Sequence, residues 1–275
     1  MAMVEANLKI LKKIRVNGDP REVEVTDAKE RDDLWKRSMP NVTPEEMMNI
    51  ATKGFPGSKM EILFYPEKDG DSFTQTVTYK RGDQEIGVSR QTFVPCENGA
   101  QFLLCSIRKQ HQDKGYAKQI QRNRVDMMDA MGITHMHMAA SGVGSYVWAK
   151  FCVPKSHDSQ VDQWEKIKEH CNQKLAEVKS QLLEKNHGAL LVKAIENMLG
   201  KESMDTTTLW RLADLRIEVK DKAGKPTTLG KHLLIGANYE CDFDTKDIEA
   251  RKRFNAYVNE PNLRDASITE YRMSV

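Results

Sequence analysis

The sequence predicts an α+β fold, with a mixed sheet in the first half and a mostly helical region from about residue 156 onward. Three observations carry this expectation. Residues 60–94 hold three strand-like runs. Residues 100–154 read as strand, glycine-bearing loop, helix and second strand. Beyond Pro154, apolar residues recur every three or four positions, the spacing of one helix face.

Taken in order, Asn7 to Val16 alternates loosely and suits a first strand. Residues 21–41 are densely charged and show no period, so 1–41 reads as a charged N-terminal segment ahead of a core over 42–155. Thr43-Pro44-Glu45-Glu46 is a helix start, with Thr43 as cap, Pro44 in the first turn and Glu46 closing a capping box. That helix turns Met47, Ile50 and Ala51 inward. Met60, Ile62 and Phe64 share one strand face. Asp71 to Lys80 and Glu85 to Val94 form a hairpin around Arg81-Gly82-Asp83.

After Pro154, Val161, Trp164, Ile167, Cys171, Leu175, Val178 and Leu182 define a long amphipathic helix over Ser159 to Asn186. Gly188 breaks it, and Ala189 to Leu199 forms the next helix, capped by Gly200. Thr206 to Leu215 suits a short helix and Asp221 to Lys225 a turn. Leu229 to Tyr239 is expected as a strand or a tight apolar segment. Asp244 is expected to cap a last helix, Thr245 to Val258.

Composition excludes several functions. Lys and Arg number 42 and Asp and Glu 40, a net charge of +2, which gives no basic face for bulk nucleic-acid binding. No apolar run is long enough to span a membrane, and the N-terminal residues do not resemble a secretory signal. The five cysteines are scattered with no CxxC pair, which points to reduced thiols in the cytoplasm rather than to a disulfide framework or a zinc site.

The chemistry is concentrated in Gln112-Asp113-Lys114-Gly115-Tyr116-Ala117. Gly115 permits a tight turn and close approach of a ligand to the backbone. The helix that follows, roughly Tyr116 to Met131, presents unpaired N–H groups and the positive end of its dipole to the same point, an arrangement that attracts phosphate. Ile120, Met127 and Met131 are expected to pack that helix on the sheet, and Gly132 to end it.

With Gln112, Gly115 and Ala117, the stretch resembles the GNAT (Gcn5-related N-acetyltransferase) superfamily, whose acetyl-CoA signature is Gln/Arg-x-x-Gly-x-Gly/Ala. Ile107 stands where that family has an apolar strand end, and the likeness covers about residues 42–154. It implies a GNAT-like fold with a helical C-terminal extension or insertion. It also implies acetyl-CoA as cofactor, a primary amine as acceptor, and cofactor contacts from Ile107 and from Gln112 to Ala117. Two departures weaken the catalytic match. Ala100 to Ile107 carries no acid, and the family's leaving-group tyrosine falls on Trp148, with Tyr146 turned roughly 200° away on a helix. Tyr146 therefore stands as candidate acid, and Glu97, His135 and His137 as candidate bases acting through water.

Each tempting residue also has a plainer reading. His135 and His137 share a strand face but are too few for a metal site, and no acid or thiol is placed beside them by spacing. No metal is expected. Cys105 suits a small core residue better than a nucleophile. His111 is expected to be a solvent-exposed loop histidine. Lys246, Arg251, Lys252 and Arg253, interleaved with acids, suit a solvated face. The same departures fit an inactive GNAT-like assembly protein, loosely similar to bacteriophage-encoded proteins of that fold and placed in the virion rather than the cytoplasm. Its helical second half would then meet a protein partner or another copy of the chain.

Overall fold

Strands β3 (Lys59–Tyr65), β4 (Ser72–Arg81) and β5 (Gln84–Val94) form an antiparallel meander in which Met60, Ile62, Phe64, Phe73, Val77, Tyr79 and Phe93 are buried. The computed structural model describes residues 7–16, 19–65, 72–112, 114–154, 160–203 and 205–260. The chain divides into two units: residues 1–136 with 255–275, and His137–Phe254.

In the first unit the strand order is β2-β1-β3-β4-β5-β6, with β1 (Leu8–Val16), β2 (Asp19–Glu24) and β6 (Gly99–Ile107) completing a large mixed sheet. β1 runs parallel to β3, and the other registered neighbours are antiparallel. Two elements arise where no period was visible. β2 is exposed along its whole length, so no alternation marks it. Helix α1 (Ala28–Ser38) is charge-rich and buries only Leu34, Trp35 and Ser38. Asp27 caps it through the Glu30 N–H, and the Trp35 indole donates to the Val42 carbonyl at 2.6 Å.

Helix α2 (Pro44–Ala51) carries the expected reciprocal capping box between Thr43 and Glu46, but Met48 rather than Ile50 joins Met47 and Ala51 in the core. Helix α3 (Tyr116–Met131) buries Ile120, Val125, Met127 and Met128, together with Gln121, Asn123 and Arg124. It ends at Gly132, whose φ of 76° is left-handed.

In the second unit, β7 (His135–Ala140), β11 (Tyr239–Asp244) and β8 (Val153–Pro154) lie in the order β7-β11-β8. Helix α4 (Val143–Trp148) follows β7. The amphipathic stripe forms helix α5 (Gln160–Leu183), with Trp164, Ile167, Cys171, Leu175, Val178 and Leu182 buried. Helix α6 (Gly188–Leu199) packs against it. Gly188 opens that helix so closely under α5 that a Cβ there would lie 1.8 Å from the Leu182 carbonyl oxygen. Helix α7 (Thr206–Ala213) is capped by Asp205, and β9 (Glu218–Lys220) and β10 (Pro226–Thr228) form a small hairpin.

Two expectations are corrected here. The apolar run at Leu229 is helix α8 (Leu229–Leu234), not a strand. Leu229, Leu233 and Leu234 are all buried, and α8 packs against α5. Helix α9 (Ile248–Asn259) starts later than expected, because Asp247 rather than Asp244 accepts its first-turn N–H, from Ala250. No helix among the described residues is long and apolar enough to cross a membrane.

Candidate functional site

The loop from Arg108 to Gly115 joins β6 to α3, and its geometry follows from how both ends are held. β6 pairs with β5, and the register steps over Leu103, leaving Leu103 and Leu104 nearly half exposed. The Arg108 N–H then donates to the Ile86 carbonyl at 2.9 Å, and the Gln112 side-chain amide donates to the Ile107 carbonyl at 3.1 Å. Gln112 therefore closes the loop on the strand end that Ile107 occupies. Asp113 lies outside the described residues.

Gly115 adopts φ 78° and ψ −3° immediately before α3. This left-handed conformation costs an L-residue roughly 1–2 kcal/mol, which explains the glycine. Gly115, at the N-cap position, has no side chain with which to cap the helix start. Lys114 is exposed, and Tyr116 and Ala117 are half-buried. The Tyr116 hydroxyl accepts from Arg81 Nη1 at 3.0 Å, and its ring packs 5.7 Å from Phe55.

His111 departs from its expected place. It is buried, its ring lies 6.2 Å from that of Tyr116, and neither ring nitrogen has a partner among the described residues. A buried imidazole is costly to leave without a hydrogen bond.

Two residues that no motif or spacing singles out fix the direction of α3. The Asn123 side-chain amide donates to the Ala51 and Lys53 carbonyls at 3.1 and 2.9 Å. Arg124 is fully buried, donates from Nη2 to the Leu104 carbonyl at 2.8 Å and stacks 3.7 Å from the Phe102 ring centroid. Burial lowers the Arg124 pKa. Beside it, burial pushes the Tyr79 hydroxyl up to about 12 and the Cys105 thiol up as well, each opposed by the Arg124 charge. Cys105 is thus poorly suited to act as a thiolate nucleophile.

The candidate catalytic residues are spread out. Glu97 is exposed in a short 3-10 turn (Pro95–Glu97) at the start of β6, roughly 27 Å of extended strand away from Ile107. His135 comes close to that turn, since its N–H donates to the Asn98 carbonyl at 3.2 Å. Asn98 clamps the same corner with both ends of its side chain on Thr134.

A search of family models, curated proteins and solved structures finds no match to this chain.

In the second unit, Tyr146 is half-buried on α4, with Lys150 Nζ 5.2 Å from its ring centroid. Trp148, two residues on, is buried. His137 has the partners that spacing could not supply, because Asp242 and Glu240 lie about a hundred residues away on β11. His137 Nδ1 is 2.9 Å from Asp242 Oδ1, and Nε2 is 3.9 Å from Glu240 Oε2. No group of three or more His, Cys, Asp or Glu among the described residues could hold a metal ion.

Proposed function

We propose that this protein is a GNAT-like N-acetyltransferase that uses acetyl-CoA and acts on a primary amine. The observation that carries the reading is the left-handed Gly115 at the start of a 16-residue helix. The buried, unpartnered His111 beside it supports the same reading, as does the basic character of the loop, which holds Arg108, Lys109 and Lys114.

These residues fit a diphosphate-bearing cofactor. The backbone N–H groups from Lys114 to Ala117 would bind its phosphates, the Gln112 N–H being engaged by the Lys109 carbonyl, with Lys109 and Lys114 adding positive charge. The exposed Leu103 and Leu104, at the register step in β6, give an apolar strip that suits an extended carrier arm. The cofactor supplies a thioester that is already activated toward amines. Tyr146, Glu97, His135 and His137 remain the candidate proton carriers, and His137 is the best oriented of them.

A second reading is favoured by one observation. Trp148 is buried where a leaving-group acid was sought, and β6 carries no acid. That suits a chain of the same architecture that has lost catalysis and serves assembly, for instance as a minor bacteriophage virion component. Its surface after residue 156 would then meet a partner.

Thiol release from acetyl-CoA in the presence of a panel of primary amines tests the choice. Turnover that falls to background in Gly115→Glu supports the transferase. Cofactor binding without turnover on any amine supports the assembly protein.

A further inference from the structure

The alternation of β7 buries Met136, Met138 and Ala140 and leaves His137 on the opposite face. That of β11 buries Tyr239, Cys241 and Phe243 and turns Glu240 and Asp242 the other way. Both strands are already anchored from the core side, where Cys152 Sγ meets Met138 Sδ at 3.6 Å and Phe243 packs against Phe151 at 5.4 Å. Holding the strands does not require the His137–Asp242 contact.

The contact has a chemical consequence. A carboxylate only accepts, so the 2.9 Å bond places the hydrogen of a neutral His137 ring on Nδ1. Nε2 then carries the lone pair, and at 3.9 Å Glu240 is too far to bond it. The His137 side chain is 28% exposed, so a small group can reach it. Two carboxylates within 4 Å of one imidazole make the spot unfavourable for anions and favourable for a cation.

We infer that Asp242 is a positioning residue that fixes the Nδ1–H form of His137, and that His137 Nε2 takes a proton from a cationic primary amine drawn in by Glu240 and Asp242. In that step an R–NH3+ group gives one proton to Nε2. The products are a neutral amine with a free lone pair and an imidazolium flanked by the two carboxylates, which later returns its proton to solvent. The inference rests on the acetyltransferase reading only for what the neutral amine does next.

The test uses the full-length protein with 15N-labelled histidine, whose seven ring signals are sorted with a His137→Gln variant. The expected result is the Nδ1–H form for His137 in the unmodified protein, and a shift toward the Nε2–H form in Asp242→Ala. Spermidine should move the His137 ring signals, whereas acetate at equal concentration should not. In turnover, Asp242→Ala should lower kcat about tenfold or more with unchanged acetyl-CoA affinity. An Nε2–H form in the unmodified protein overturns the positioning role, and this measurement does not depend on whether Asp242→Ala folds. Equal response to spermidine and acetate overturns the amine class. If acetyl-CoA fails to bind, the transferase reading falls, while the ring signals and the amine titration still judge the dyad.

Discussion

Gly115 is the residue on which the loop between β6 and α3 turns, and its φ sets the expectation for substitutions. Gly115→Ala should lower stability by about 1 kcal/mol in a denaturant titration, and Gly115→Asn by less, because asparagine tolerates the left-handed region. Asp205 offers a separate prediction on pH. Burial pushes its carboxyl up, but hydrogen bonds from Lys201, Thr207 and Thr208 outweigh burial and hold it well below the usual carboxylate range. A depressed carboxylate stabilises the fold above its unfolded value and loses that contribution as the pH falls toward the folded value. The stability gap between the unmodified protein and Asp205→Ala should therefore be about 1 kcal/mol near neutrality and should narrow from about pH 4 downward, as urea midpoints at several pH values would report. The tight turn at Gly115 was legible in the sequence because it is local. The burial of His111 and the pairing of His137 with Asp242 were not, because each depends on strands or rings distant in sequence.

Elements were legible where one face is apolar at a fixed period. The capping box of α2, the meander β3 to β5 and the stripe of α5 all follow from such local signals. β2 was missed because an edge strand exposed on both faces needs no alternation. α8 was misjudged because a short apolar run fits a buried helix as well as a strand. Thr43→Ala removes the hydroxyl that accepts from the Glu46 N–H, while the residue 43 backbone N–H keeps its bond to the Glu46 carboxylate, and should cost about 1 kcal/mol, measured by thermal or urea unfolding. A much smaller loss would mean that α2 is held by packing alone.

For the whole molecule, the sequence placed a boundary near residue 155, whereas the contacts divide the chain within β7, after Met136. The reason is the return of β11, which lies beside both β7 and β8 although some 85 residues of mostly helical chain intervene between β8 and β11. Spacing along the chain cannot reveal such a return. A chain truncated after Pro154 loses β11 and the aromatic cluster of Phe151, Phe243 and Phe254. It should aggregate, as the loss of soluble protein on gel filtration would show. Recovery of a soluble, cooperatively folded fragment would contradict the position of β11.

The central claim is that the Gly115 turn holds a phosphate-rich cofactor, and calorimetric titration with acetyl-CoA tests it most directly. The account predicts saturable micromolar binding that Gly115→Glu abolishes and Gly115→Asn largely keeps. No heat of binding, or equal binding by Gly115→Glu, would contradict it.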